Sequence, residues 1–217
     1  MSDKDANPHL RDPKPPTRTQ DRVGVVIPIK SFNLAKGRLA ESLSPTERDD
    51  LARRMAACVV EAAKPLPTWI VCDDHGVARW VMEAGARVLW RPAPGLNPAV
   101  TASVEFLDRL GFDRVIIAHG DLPLANDLTW VGDFDGVTIV PDRRGEGTNV
   151  MAVPTNTGFL FAYGPCSAPK HQQEAERLGL AVRVVDDGDL GWDIDTPDDL
   201  AALSDHRAST TTQRGTP

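Results

Sequence analysis

The chain alternates between short, wholly apolar runs and longer segments in which apolar residues recur every three or four positions. The short runs are typical of strands buried on both faces, and the longer segments are typical of amphipathic helices. The predicted strands are Val23–Ile29, Trp69–Cys72, Arg87–Trp90, Arg114–Ala118, Gly136–Val140 and Ala181–Val185. The predicted helices include Gly76–Ala84, Asn97–Leu110 and Ser167–Leu178, and a short last one begins at Thr196-Pro197.

A further helix is predicted to begin after Ser44. This serine suits an N-cap, Pro45 follows at the first helical position, and Glu47 stands at the third, which together form a capping box. Apolar residues then recur at four-residue intervals, namely Leu51, Met55 and Val59.

Strands that alternate with helices predict βαβ units with right-handed crossovers. We therefore expect a single-domain, three-layer α/β/α fold with a mostly parallel sheet, covering residues 23–203. Residues 1–22 and 204–217 hold almost no apolar side chains and are expected to be disordered tails. In such sheets ligands bind at the carboxyl ends of the strands, so candidate chemistry is sought just after each apolar run.

The chain has 24 Lys and Arg against 31 Asp and Glu, and its formal charge of -7 argues against a nucleic-acid binder. No apolar run approaches the roughly 18 residues that a membrane span needs, and no segment resembles a signal peptide, so a cytoplasmic protein is expected. The three cysteines, Cys58, Cys72 and Cys166, lack metal-like spacing. The first two are expected to be reduced and mostly buried.

Three cations follow the first predicted strand, namely Lys30, Lys36 and Arg38. In a chain that is acidic overall, such a loop suits a polyphosphate, which needs several donors and positive charge. A solvated basic loop is the equally acceptable alternative. The loop is not a Walker A motif, because GxxxxGK[ST] occurs nowhere in the chain.

Acidic residues follow two other predicted elements. Asp121 leaves a buried strand between Gly120 and Leu122-Pro123, which suits a Mg²⁺-binding carboxylate, although a turn former would look the same. Asp193 and Asp195 lie two positions apart, so in an extended segment they face one side.

Asp198 and Asp199 are ordinary acidic residues of a first helical turn, and no function is assigned to them. His171 is a lone histidine on a predicted helix and is interpreted as structural.

Two more segments could bind an anion. The loop Pro141–Asn149, PDRRGEGTN, is flexible and rich in hydrogen-bond donors. Downstream, the sequence YGPCS places small residues and the hydroxyl of Ser167 at the start of a helix. If Ser167 caps that helix, its backbone N–H groups and dipole favour a phosphate or carboxylate.

Together these segments resemble the nucleotidyltransferases of the glycosyltransferase-A-like fold, and within it the family of 2-phospho-L-lactate and phosphoenolpyruvate guanylyltransferases of coenzyme F-420 biosynthesis. The matched segments, between residues 28 and 200, are PIKSFNLAKGRLAESLSPTER, LNPAVTAS, HGDLP, PDRRGEGTN, YGPCSAPKHQQEA and DIDTPDDL. The motif DIDTP is shared with molybdenum-cofactor and sugar nucleotidyltransferases, so GxGTN with the GP-x-S helix start is the more specific pair.

The resemblance implies roles for particular residues. The metal ligands for Mg²⁺ would be Asp121 and Asp195. The residues that contact the phosphorylated three-carbon acid would be Thr148, Gly164 and Ser167. The residues near GTP would be Lys36 and Arg38 at the phosphates and Leu96 and Asn97 near the nucleoside. The three cations of the basic loop, Lys30, Lys36 and Arg38, are predicted to be the catalytic residues. Glu146 departs from the family pattern, because an acidic side chain beside an anionic substrate is unexpected.

The reaction that the resemblance implies joins GTP to the phosphate of a small acid and releases pyrophosphate. The acid could be phosphoenolpyruvate, 2-phospho-L-lactate or 3-phosphoglycerate, and the unstable product would be handed to a downstream transferase. A homodimer is compatible with this reading. One alternative is a molybdenum-cofactor guanylyltransferase, although its glycine-rich first loop is missing. The other alternative is a non-catalytic nucleotide-binding regulator, which would not need a pair of metal ligands.

Overall fold

The computed structural model describes residues 22–33, 35–92 and 95–203. The predicted tails fall on residues 1–21 and 204–217, outside this part, apart from Arg22. The backbone N–H of Arg22 donates to Asp113 Oδ2 at 2.8 Å, and its guanidinium lies 4.6 Å from the centre of the Phe112 ring. The folded domain therefore includes Arg22, one residue earlier than the predicted boundary.

Within the described residues, seven strands form one sheet in the order β3-β2-β1-β4-β6-β5-β7. They are β1 Val23–Pro28, β2 Thr68–Cys72, β3 Arg87–Trp90, β4 Arg114–Ala118, β5 Val137–Pro141, β6 Thr148–Pro154 and β7 Val182–Val184. Strand β6 is antiparallel to β4 and to β5, and the other neighbouring strands are parallel. The expected mostly parallel sheet is confirmed.

Strand β6 is the element that the sequence analysis missed. The expected loop Pro141–Asn149 overlaps both strands, because Pro141 belongs to β5 whereas Thr148 and Asn149 belong to β6 and have buried side chains. The signal was available, because residues 150–153 are a wholly apolar run like those of the predicted strands and are buried in the same way. It was passed over because the polar Thr148 and Asn149 before it were assigned to the loop.

The helices are α1 Pro45–Ala62, α2 His75–Ala84, α3 Leu96–Arg109 and α4 Ser167–Arg177, and a last helix, α5, covers residues 197–203. The capping box at the start of α1 is confirmed, since Ser44 Oγ accepts from the Glu47 N–H and the Glu47 carboxylate accepts from the Ser44 N–H. Gly85 ends α2 in the left-handed conformation, φ 75°. No helix of the described part is long and apolar enough to cross a membrane.

The sheet separates two hydrophobic layers, and successive residues of each central strand alternate between them. Val25 and Ile27 of β1 pack in the layer under α1 and α2, whereas Val26 between them packs in the layer under α3 and α4. This alternation is the three-layer α/β/α arrangement expected. Of the cysteines, Cys72 is buried, Cys58 is half-buried and Cys166 is exposed.

Candidate active site

The candidate site lies where β1 and β4 meet. The chain continues from β1 to β2 on one side of the sheet centre, while β4 flanks β1 on the other side, which makes this edge a topological switch point. A cleft of about 430 Å³ opens there at the carboxyl ends of the two strands. The loop after β1, the turn after β4 and the segment before α5 all contribute to its lining.

Lys36 joins the two predicted metal ligands. Its Nζ lies 2.6 Å from Asp121 Oδ2 and 3.1 Å from Asp195 Oδ1, and 6% of its side chain is exposed. Burial works against the charge of Lys36, but Asp121 and Asp195 outweigh it and raise the pKa of the ammonium. Burial likewise opposes ionisation of Asp121, but Lys36 and His119 hold the pKa of this carboxyl below its ordinary value. The three groups therefore form a charged cluster.

The other two cations of the basic loop lie at the edge of the same cleft. Arg38 Nη1 is 3.7 Å from Asp195 Oδ2, and three-quarters of its side chain is exposed. Lys30 is exposed and lines the cleft as well. The structure thus brings together all three predicted cations and both predicted carboxylates.

The donor set fits a magnesium ion that is shared with substrate phosphates. Asp121 Oδ1 is buried and has no hydrogen-bond partner among the described residues. A third carboxyl, that of Asp193, is close enough to be influenced by the other two, since burial and then the charges of Asp121 and Asp195 raise its pKa. The described residues contain no group of three side chains arranged as a self-sufficient metal site. Mg²⁺ commonly takes one or two carboxylates and completes its shell with phosphate oxygens and water.

Asp199, to which the sequence analysis assigns no function, organises the segment that presents Asp195. Its Oδ2 accepts hydrogen bonds from the backbone N–H groups of Asp195, at 3.0 Å, and Thr196, at 2.8 Å. Its Oδ1 is paired with Arg143, whose guanidinium lies 4.1 Å from the Trp192 ring centre. The spacing of Thr196 and Asp199 is that of a capping box with Asp in place of Glu, which is the signal that could have revealed it.

Thr148 and Ser167 are brought together, but in a different way from that expected. Thr148 Oγ1 lies 3.2 Å from Ser167 Oγ and 3.0 Å from His171 Nδ1, and all three side chains are buried. The cap of α4 is Cys166, in the left-handed conformation and without a side-chain cap hydrogen bond. The prediction that Ser167 caps α4 is therefore wrong, because its hydroxyl turns inward to Thr148.

His171 has the structural surroundings expected of it and fixes this hydroxyl pair. Its Nε2 accepts from the Ala162 N–H at 2.9 Å, so the neutral ring carries its proton on Nδ1 and donates it to Thr148 Oγ1. Burial, followed by the nearby His119 and Lys170, lowers the pKa of His171 to about 4. The Thr148 hydroxyl, already accepting from His171, keeps its own proton to donate.

Two aromatic residues that the sequence analysis passed over connect this pair to the carboxylates. His119 lies two residues before Asp121, and its ring centre is 5.4 Å from that of Tyr163. His119 Nε2 and Tyr163 Oη are buried without a hydrogen-bond partner among the described residues. Burial raises the pKa of Tyr163. The available signal was that His119 and Tyr163 begin the motifs HGDLP and YGPCS, which had both been singled out.

The predicted nucleotide residues at the start of α3 separate into two roles. Leu96 lines the cleft. The Asn97 side chain instead pairs with the backbone of Tyr163, accepting from its N–H at 2.7 Å and donating to its carbonyl at 3.2 Å. Asn97 therefore positions the segment that contains Gly164, which is exposed with φ 126°.

Glu146, the departure from the family pattern, has an exposed side chain. Its backbone carbonyl accepts from the Ala168 N–H at 3.0 Å, and its own N–H donates to Asp142 Oδ1 at 2.9 Å. The residue thus ties the β5–β6 turn to the first turn of α4 through its backbone.

Comparison with known proteins decides the family. The family model described as guanylyl transferase CofC like matches residues 23–214. The chain belongs to this family. Among CofC-like relatives, the phosphoenolpyruvate guanylyltransferase of Conexibacter woesei is 35% identical, covering 85% of this chain and 88% of its own. The 2-phospho-L-lactate guanylyltransferase of Methanocaldococcus fervens is 30% identical, covering 87% of this chain and 88% of its own.

Solved structures agree on the fold. A nucleotidyl transferase from Methanothermobacter superposes with a TM-score of 0.60 at 16% identity, covering 87% of this chain and 99% of that one. The CMP:2-keto-3-deoxy-manno-octonic acid synthetase complexed with CTP gives a TM-score of 0.55 at 14% identity, covering 89% and 100%. The nucleotidyltransferase-like fold expected from the sequence is confirmed.

Proposed function

We propose that this protein transfers the guanylyl group of GTP to the phosphate of a small phosphorylated three-carbon acid, with release of pyrophosphate, in coenzyme F-420 biosynthesis. The observation that supports it is the meeting of Asp121 and Asp195 on Lys36 at the switch point of the sheet, in a chain of the CofC-like family. Phosphoenolpyruvate is the proposed acceptor, because the relative at 35% identity is named for it.

In the proposed reaction an oxygen of the acceptor phosphate attacks the α-phosphorus of GTP. A new P–O bond forms there, while the bond from the α-phosphorus to the bridging oxygen of the β-phosphate breaks, and pyrophosphate leaves with the electron pair. The attacking phosphate is already an anion, so no strong general base is needed. Positioning and neutralisation of charge then supply most of the catalysis.

The residues of the cleft divide this work. Lys36, Arg38 and Lys30 bind the triphosphate, whose charge they partly neutralise. Asp121 and Asp195 would hold Mg²⁺. When bound, Mg²⁺ supplies neutralisation of the charge that grows on the phosphate oxygens.

The acceptor binds on the side of Thr148, Gly164 and Ser167. The Thr148 hydroxyl accepts from His171 Nδ1–H, which leaves its proton to be donated to an anionic group. The backbone beside Gly164, where φ is 126°, can approach the ligand closely because glycine has no side chain. Such a site gains affinity for a carboxylate or phosphate from hydrogen bonds to charge.

The test is turnover by the full-length chain with GTP, Mg²⁺ and each acid in turn, followed as pyrophosphate release. Mass spectrometry of the quenched mixture identifies the guanylylated acid before it decomposes. We expect release with phosphoenolpyruvate to exceed that with 2-phospho-L-lactate and 3-phosphoglycerate. Binding of GTP without release of pyrophosphate with any of the acids would contradict the proposal and favour a nucleotide-binding regulator.

A further inference from the structure

A second cavity, of about 250 Å³, opens beside the cleft at the carboxyl ends of β1, β2 and β3. The two cavities are contiguous, because the same four residues, Pro28, Ile29, Lys30 and Leu96, line both. A nucleotide whose triphosphate lies on the cations of the cleft can therefore place its base in the second cavity.

The walls of this second cavity suit a flat heterocycle. Val71, Cys72 and Ala99 are buried and form its apolar floor, and Leu96 closes one side. Apolar walls with a few polar groups are the usual composition of a small-ligand site. The charged side chains in its lining are Lys30, which it shares with the cleft, and Asp73 and Arg91.

Asp73 and Arg91 lie on adjacent strand ends. The Arg91 N–H donates to the Cys72 carbonyl at 2.9 Å, one residue before Asp73. In the part of the chain that the structure describes, these opposite charges form no ion pair with each other. Arg91 Nη1 donates to the Trp90 carbonyl at 3.3 Å, and its guanidinium lies 5.5 Å from the Phe106 ring centre.

Asp73 is exposed and differs from its neighbour Asp74, whose carboxylate accepts from the Val77 N–H and caps α2. No hydrogen bond or ion pair involves the Asp73 side chain within the described residues. The Asp73 carboxylate can accept further hydrogen bonds and the Arg91 guanidinium can donate further ones. Together they match a ligand edge on which two hydrogen-bond donors lie beside an acceptor.

We infer that Asp73 and Arg91 select guanine in this cavity. The Asp73 carboxylate accepts from guanine N1–H and from the exocyclic 2-amino group, and Arg91 donates to O6. Adenine presents a lone pair at N1 and an amino group at position 6. The Asp73 carboxylate would therefore face another acceptor, and the Arg91 guanidinium would face another donor. This inference rests on the proposed use of GTP and assigns its base specificity to two residues.

The experiment measures dissociation constants of the full-length protein for GTP, ITP, XTP and ATP with Mg²⁺ by calorimetry. Wild-type protein should bind GTP about tenfold more tightly than ITP, which lacks the 2-amino group. The variant Asp73→Asn should lose about 10- to 100-fold in GTP affinity and gain in XTP affinity, because its amide can donate to the 2-carbonyl of xanthine. Arg91→Met should weaken GTP and ITP equally, since both carry O6.

The control is Glu83→Gln, which removes the same charge from an exposed position on α2 outside the cavity and should leave all four constants unchanged. An unchanged ratio of GTP to XTP affinity in Asp73→Asn would overturn the inference. Because the experiment measures nucleotide binding, its outcome does not depend on whether the proposed reaction takes place. Absence of pyrophosphate release would refute the guanylyl transfer and leave the base selectivity to be judged by these constants.

Discussion

Lys36 Nζ lies 2.6 Å from Asp121 Oδ2, although 85 residues separate them in the chain. The same ammonium reaches Asp195, 159 residues away, at 3.1 Å. Lys36 itself has left-handed backbone dihedrals, φ 57°, which are uncommon for a residue with a side chain. A strained backbone at the residue that joins two carboxylates is typical of a functional site.

Replacement of Lys36 by Met should reduce kcat by about 100- to 1000-fold, because the part of the cleft proposed to bind the phosphates loses a positioned cation. Steady-state pyrophosphate release gives the rate, and circular dichroism checks that the fold is retained. Lys64→Met removes an exposed lysine outside the cleft and serves as the control. Equal rates for Lys36→Met and wild type would refute the role of Lys36.

The variants Asp121→Asn and Asp195→Asn should each abolish turnover while the protein stays folded, since both carboxylates are proposed to hold Mg²⁺. Chelation of the metal with EDTA should abolish wild-type turnover, and added Mg²⁺ should restore it. Asp198→Asn, at an exposed position three residues after Asp195, should keep the wild-type rate. Near-normal release by either cleft variant at ordinary Mg²⁺ would show that its residue is not an essential ligand.

Thr148→Val should lower kcat/KM for the acid by about 10- to 100-fold with little effect on GTP, because one hydrogen bond to a charged group is lost. Thr148 also accepts from His171, so about 1–3 kcal/mol of stability should be lost as well. Ser167→Ala is a second test, since its hydroxyl does not cap α4. Kinetics measured separately for each substrate decide the matter, and an effect confined to GTP would contradict the assignment.

The stability of the protein should fall below pH 6.5 because of His171. Its pKa is about 4 in the folded chain and about 6.5 when unfolded, so on acidification the unfolded state binds the proton first. Between pH 6.5 and 4.5 the free energy of unfolding should drop by about 2 kcal/mol from this group, and the group should contribute almost nothing above about pH 7.5. Urea unfolding at several pH values measures the slope, and His171→Gln should flatten it. An identical slope in both proteins would exclude His171 as the cause.

Asp199→Ala should cost about 1–3 kcal/mol of stability and lower kcat by about tenfold, because Asp195 loses the carboxylate that holds its backbone. Thermal melts and pyrophosphate release measure the two effects. Asp198→Ala, the exposed neighbour, should change neither. A stability loss with unchanged kcat would mean that Asp199 supports α5 alone and does not position Asp195.

The local patterns predicted most of the fold because each depends on near neighbours. Three features could be predicted without tertiary contacts: the capping box of Ser44 and Glu47, the apolar strand of residues 114–118 and the helix end at Gly85. The apolar run of β6 was also a local signal, although it was overlooked, but its antiparallel direction depends on its pairing with β4 and β5. Asp199 was missed for a similar reason, since an acidic first turn looks the same whether it faces solvent or Arg143.

The sequence by itself determined most of the secondary structure, the mostly parallel architecture and which residue types stand at the strand ends, because periodicity and turn chemistry are local properties. Only the tertiary structure decided that Lys36 bridges Asp121 and Asp195, that Ser167 turns inward to Thr148, and that Asp73 and Arg91 share a cavity. Those relationships depend on the order of strands in the sheet and on the direction of each side chain. Both follow from packing among distant segments, which the spacing of residues along the chain does not contain.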